Sequence, residues 1–236
     1  MSITTKTQSE RKFRHELKYV VSNAQLEMLR NRVNHLLQLD RHVGNAGKYN
    51  IRSLYFDDYA NRCLCENEDG TDPREKFRIR IYNHSSERIT LECKRKERGK
   101  TLKTSCPLTV EQTRMLMLGQ VIPDIGSQPA LLQKLTMEML MHRMRPVVIV
   151  EYERVPYVYK NGNVRITFDM NISSSTAVEA FLSERIPKRP IMPVGRELLE
   201  VKYDEFLPDF IYRNLQLDNL QQTAFSKYYL CRKYTR

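Results

Sequence analysis

Apolar and polar positions alternate through much of this chain. In Phe77-Arg78-Ile79-Arg80-Ile81 the apolar residues take every second place and arginines fall between them, the period-2 signature of a strand with two unlike faces. The alternation returns in Leu91-Glu92-Cys93-Lys94-Arg95-Lys96, Val164-Arg165-Ile166-Thr167-Phe168-Asp169 and Leu199-Glu200-Val201-Lys202-Tyr203. Further strands are predicted over residues 13–21, 51–56, 101–108 and 146–159. Residues 76–82 and 88–95 form a hairpin-like pair through Asn83-His84-Ser85-Ser86. The Asn161-Gly162 dipeptide between two strand-like runs marks a tight hairpin.

Helical periods lie between the strands. Ser22 and Gln25 make a capping box that opens a helix with Leu26, Leu29, Val33, Leu36 and Leu37 toward an apolar surface. Thr109 and Gln112 repeat the device for a helix over 110–118 that ends at Gly119. Asp57-Asp58 caps a short helix running through Cys65. Helices are also expected over 129–143, over a short stretch at 176–185, and within 207–234. Met137, Met139, Met141 and Met144 read as adaptable core packing. Strands and helices without regular βαβ alternation predict an α+β fold on an antiparallel sheet.

Composition fits one globular domain over residues 1–236, with residues 1–12 flexible: the chain is 41% hydrophobic and 28% charged. No apolar run approaches the roughly 20 residues that span a bilayer, and the polar start lacks a signal-peptide core. A cytoplasmic location is expected. Five cysteines without a CxxC spacing predict reduced thiols and no zinc site. His15, His35, His42, His84 and His142 form no catalytic pairing in the sequence and read as structural or surface groups.

Charge changes the picture. The chain carries +11, and residues 74–103 hold eleven Lys or Arg against four Glu. On several strands the cations share one face with glutamates. One reading is a two-faced sheet whose charged side meets water. The other is a sheet covered by helices on its apolar face and curled into a barrel with a polar basic lumen. Such a lumen suits a polyanion, since guanidinium groups bind phosphate oxygens in pairs. Glutamates there call for a divalent cation to join them to phosphate, which Mg²⁺ or Mn²⁺ does through one or two carboxylates. Nucleic acid is not the expected partner, because no basic helix or RNA-binding motif is present.

The motifs, taken in order, resemble a known family. They are Arg14-His-Glu-Leu-Lys-Tyr19, Ser53-Leu-Tyr-Phe-Asp57, Phe77-Arg-Ile-Arg80, Leu91-Glu-Cys-Lys94, Glu151-Tyr-Glu-Arg154, Val164-Arg-Ile-Thr-Phe-Asp169, Leu199-Glu-Val-Lys202 and Phe225-Ser-Lys-Tyr228. Together they are similar to the VTC (vacuolar transporter chaperone) domain of polyphosphate polymerases, within the CYTH-like triphosphate tunnel superfamily. The resemblance implies an eight-stranded antiparallel tunnel with helices outside. It implies that Lys18, Arg78, Arg80, Lys94, Lys96, Lys103, Arg154, Arg165, Lys202 and Lys227 hold phosphate, and that Arg78, Arg80, Lys94, Arg154 and Glu200 serve catalysis. It further implies Mn²⁺ or Mg²⁺ on Glu200, with Glu92 and Glu16 as further candidate ligands.

The implied activity is polyphosphate synthesis from ATP with release of ADP. A triphosphatase in the same tunnel and a non-catalytic polyphosphate-binding module are the alternatives. Arg14 stands where the wider superfamily often has a first Glu, which favours the polymerase branch. Lys96 stands where polymerases of the family carry His. A membrane-protein partner would be needed for any translocation of the polymer.

Overall fold

The alternation in the sequence becomes the two faces of one curled sheet. The computed structural model describes residues 13–44 and 46–234; the expected flexible start at 1–12 lies outside them. Ten strands appear: β1 His15–Ser22, β2 Gln38–Leu39, β3 Tyr49–Asp57, β4 Arg74–Tyr82, β5 Ser85–Glu97, β6 Lys100–Leu108, β7 Arg145–Tyr159, β8 Val164–Ser175, β9 Arg189–Pro190 and β10 Arg196–Tyr203. Eight follow one antiparallel path, β1-β10-β8-β7-β3-β4-β5-β6, while β2 and β9 add short edges to β7 and β8. The sheet curls until its two outer strands approach, and Arg14 and Thr101 exchange two backbone hydrogen bonds of 3.0 Å across the gap. The expected antiparallel eight-strand tunnel is present as this curled half-barrel.

Among the described residues six α-helices accompany it: α1 Asn23–Leu36, α2 Arg62–Glu68, α3 Val110–Met117, α4 Ala130–His142, α5 Asp209–Leu215 and α6 Lys227–Lys233. Both predicted capping boxes form, at Ser22–Gln25 and Thr109–Gln112. Asp57 and Asp58 accept hydrogen bonds from the backbone N–H groups of Cys63 and Arg62 at the start of α2. In the Asn161-Gly162 turn, Gly162 has φ +72° and a Cβ there would lie 2.5 Å from the Phe206 carbonyl oxygen, so the turn requires glycine.

The apolar sheet face is covered as its phase demands. Phe77, Ile79, Ile81 and Leu91 are buried in one cluster with Leu132, Leu135 and Met139 of α4. Val21, Phe168, Leu199 and Val201 are buried in a second with α1 residues Leu26, Leu29 and Val33 and α5 residues Ile211 and Leu215. Each such large side chain contributes about 1.5–3 kcal/mol by leaving water, which holds the helices outside and turns the opposite strand face inward.

Three expectations are corrected. Leu36 is 37% exposed, since α1 ends there and Leu37 takes the buried place. Met139 and Met144 are core residues, but Met137 and Met141 are 47% and 67% exposed because they lie on the outer face of α4. Residues 176–185 form only a single 3₁₀ turn at Val178–Ala180. The carbonyls of Phe181, Ser183 and Glu184 accept instead from the buried Arg52 guanidinium, which is itself paired to Glu151 at 2.5 Å.

Candidate functional site

The inward strand face lines a cavity of about 770 Å³. Among the described residues thirteen Lys and Arg side chains border it, against two carboxylates, Glu16 and Glu200. All ten cations singled out in the sequence are among the thirteen. The sheet is what collects them: Lys18 faces Glu200 across β1 and β10, Arg154 faces Asp169 across β7 and β8, and Arg78 faces Glu92 across β4 and β5.

Most of these cations are already paired. Glu92 lies behind the arginines, 2% exposed, and is held by Arg78 at 2.6 Å, Arg80 at 3.6 Å and Lys103 at 2.9 Å. Arg80 also donates to Ser53 Oγ at 3.1 Å, and Arg78 to the Tyr55 hydroxyl at 2.8 Å. On the opposite wall, buried Asp169 accepts from Nε and Nη2 of Arg154, at 2.6 and 2.7 Å, and lies 2.6 Å from Lys227. Glu200 accepts from Lys227 at 2.7 Å and Lys202 at 3.0 Å, with Arg154 at 3.3 Å. Glu16 is paired to Lys94 at 2.6 Å, Lys202 at 3.3 Å and Lys18 at 3.8 Å.

The electrostatics follow from this crowding. Burial alone would push the Glu16, Glu92 and Glu200 carboxyls up; the surrounding lysines and arginines overcome it and hold all three well below the ordinary value. Lys227 moves the other way: its burial is outweighed by Asp169 and Glu200, which raise it. Lys94, buried among Lys18 and Lys202, is pulled down to about 7 by desolvation despite Glu16. Arg165 stands at the margin, 36% exposed and bound to Asp40.

Glu200 and Glu16 are the carboxylates that open to the cavity, and both are held by Lys202. Oxygen donors of this kind suit Mg²⁺ or Mn²⁺, which completes its shell with substrate phosphate oxygens and water. Among the described residues no group of three or more His, Cys, Asp or Glu converges, so the donor set fits a cation shared with phosphate rather than an all-protein cage. Glu92, unlike Glu200, is not among the residues that line the cavity, and it acts from behind the wall on Arg78, Arg80 and Lys103.

Several lining groups escaped the sequence reading: Arg74, Lys76, Arg14 and the tyrosines Tyr49, Tyr55, Tyr152 and Tyr228. The signal for Arg74 and Lys76 was available, because they stand four and two places before Arg78 on the same strand face. Asp169 was visible as a strand-borne charge, but its role as counter-ion to Arg154 and Lys227 needed the fold. His15 also lines the cavity, stacked on Tyr203 with ring centroids 4.9 Å apart.

Among solved structures the chain is similar to a putative adenylate cyclase from Bacillus halodurans, with 14% identity, 89% of each chain covered and a TM-score of 0.53. It is also similar to a putative adenylyl cyclase from Hippeastrum, described as having a dominant triphosphatase activity, with 11% identity, 95% of this chain and 97% of that chain covered, and a TM-score of 0.52. At these identities the likeness is one of fold, the triphosphate tunnel. No curated protein matches the sequence. The profile of the VTC domain matches residues 13–235, and with the curled sheet and its basic lumen it settles the family: the chain belongs to the VTC-domain proteins.

Proposed function

We propose that the protein transfers phosphoryl groups within this lumen, making polyphosphate from ATP and releasing ADP in the cytoplasm. The observation that carries the reading is the excess of thirteen lining cations over two carboxylates around one cavity, a row of donors suited to the oxygens of a phosphate chain. In the reaction, a terminal oxygen of the acceptor chain forms a bond to the γ-phosphorus of ATP as the bond to the β–γ bridging oxygen breaks, and ADP leaves with that oxygen. Little covalent help is needed from the protein; positioning and charge neutralisation carry the catalysis. Arg78, Arg80 and Arg154, each locked by a carboxylate, supply pre-oriented donors. Lys18, Lys94, Lys103, Lys202 and Lys227 add charge around the chain, and Lys96 and Arg165 extend the cradle.

Glu200, with Glu16 beside it, would hold Mn²⁺ or Mg²⁺, whose chemistry is to neutralise phosphate oxygens and fix donor and acceptor in line. Incubation of the protein with ATP and Mn²⁺ should yield ADP and an acid-labile polymer. ATP left unchanged across several divalent metals would remove the proposal. Orthophosphate or pyrophosphate without polymer would select hydrolysis, a reading favoured by the fold shared with the Hippeastrum protein.

A further inference from the structure

Three of the thirteen lining cations have no carboxylate partner among the described residues: Arg74, Lys76 and Lys96. They are neighbours. On the inner face of β4 and β5, Arg74 stands directly opposite Lys96 and Lys76 directly opposite Lys94, whereas two residues further along Arg78 stands opposite Glu92. Like charges placed directly across a strand pair are destabilising, and here two such pairs follow one another. The same hairpin thus passes from complementary pairing to uncompensated positive charge within a few residues.

Lys76 is the best defined of the three. Its ammonium donates to Asn67 Oδ1 of α2 at 2.5 Å and sits 4.9 Å over the ring of Tyr228 from α6. Tyr228 is in turn fixed by its hydroxyl to Asp57. The head is therefore oriented by neutral groups and retains donor capacity toward the cavity. The charged and titratable groups around it are Cys63 and Glu66 of α2, Asp57 of β3, Arg74 on its own strand, Lys94 across from it and Lys18 of β1. Asp57 is committed to Tyr228 and to the backbone of Asp58 and Cys63.

We propose that Arg74, Lys76 and Lys96 form a metal-independent phosphate subsite that takes one phosphate group of the chain by charge alone and draws in a proton as it binds. The subsite rests on the reading of the lumen as a phosphate-chain site. It divides that lumen in two: a half where carboxylates and a divalent cation meet the chain, and a corner where lysine and arginine meet it directly. Desolvation lowers Lys76 to about 7, so near neutral pH a phosphate arriving beside it restores a proton that the empty corner has partly shed.

The test is calorimetric titration of the protein with inorganic tripolyphosphate in EDTA, at pH 8 and in two phosphate-free buffers of different ionisation enthalpy. The wild type is expected to bind and to take up a fraction of a proton. Lys76→Gln should lose about tenfold or more in affinity, the scale of one charged hydrogen bond, together with part of the proton uptake, the rest belonging to Lys94 across the strand pair, which burial also lowers to about 7. Lys76→Arg should keep most of the affinity and lose the same part of the uptake, since guanidinium stays protonated. Arg74→Gln and Lys96→Gln should each weaken binding several-fold. Wild-type affinity and proton uptake in Lys76→Gln, with Arg80→Ala impaired, would overturn the subsite and leave the lumen reading standing. A wild type that binds tripolyphosphate without metal yet turns over neither ATP nor triphosphate would remove the enzymatic reading and keep the subsite. No binding by the wild type would overturn both.

Discussion

The two ends of the β4–β5 hairpin make an instructive pair. At one end Arg78 and Arg80 close on Glu92; at the other Arg74 and Lys96 face each other with no carboxylate between them. Both ends have the same alternating sequence texture and both border the same cavity. They differ in how their charge is satisfied. A guanidinium locked to a buried carboxylate is oriented before any ligand arrives, at the cost of part of its positive charge. An unpaired cation keeps its charge for the ligand and strains the empty protein. The wall around Asp169 and Glu200 extends the first arrangement, and Lys76 extends the second.

Removing a member of each arrangement should therefore move stability in opposite directions. The largest effect is expected at Asp169→Ala, which leaves two buried cations, Arg154 and Lys227, to share Glu200 as their one remaining carboxylate among the described residues. Loss of about 3–5 kcal/mol is expected for breaking such a buried pair, read by urea unfolding; a variant as stable as wild type would break the comparison. Glu200→Gln preserves shape and removes one open carboxylate. It should lower metal-dependent turnover by about 10²- to 10³-fold, the scale for losing one preorganised electrostatic group, with the folded state retained by circular dichroism.

Acid and alkaline behaviour should separate the two regions next. Glu16, Glu92 and Glu200 are held below their ordinary 4.5, so the unfolded chain takes up protons there first. The stability they confer is fully present above about pH 4.5 and drains away as pH falls through their lower folded values. Lys76 has the opposite consequence. Its unfolded form keeps a proton up to about 10.5 while the folded form releases it near about 7, so stability should rise with pH across that window. Thermal melts should show both slopes, and Lys76→Met should reduce the upper one to the part that Lys94, lowered over the same window, contributes. The smallest effect is at Arg74→Gln: relief of the like-charge pair should raise stability by about 0.2–1 kcal/mol while weakening tripolyphosphate binding. A loss of stability there would mean that the Arg74 hydrogen bond to the Thr71 carbonyl, 2.7 Å long, outweighs the like-charge repulsion.

Much of this site was legible from strand phase. Arg78, Arg80, Lys94, Glu200 and Lys202 could be placed on one face because a strand's side chains alternate strictly, and apolar neighbours such as Ile79 and Val201 declared which face was buried. Arg74 and Lys76 obeyed the same rule and were missed only because the motif was taken to begin at Phe77. Helix caps were equally readable at Ser22 and Thr109, where side chain and backbone are three residues apart. The failures came where a distant group intervenes. The 176–185 segment has helix-compatible residues, but Arg52, more than a hundred positions earlier, claims its carbonyls.

The sequence by itself determined that several strands carry cations on one face, that helices would cover the other, and that the positive excess is concentrated in residues 74–103. These follow from local periodicity and composition, which do not depend on the path of the chain. Only the tertiary structure decided which cations are neutralised and which remain free. Pairing depends on cross-strand register and on contacts such as Lys227 with Asp169 and Lys94 with Glu16, where residues far apart in sequence come within a few ångströms because the sheet curls.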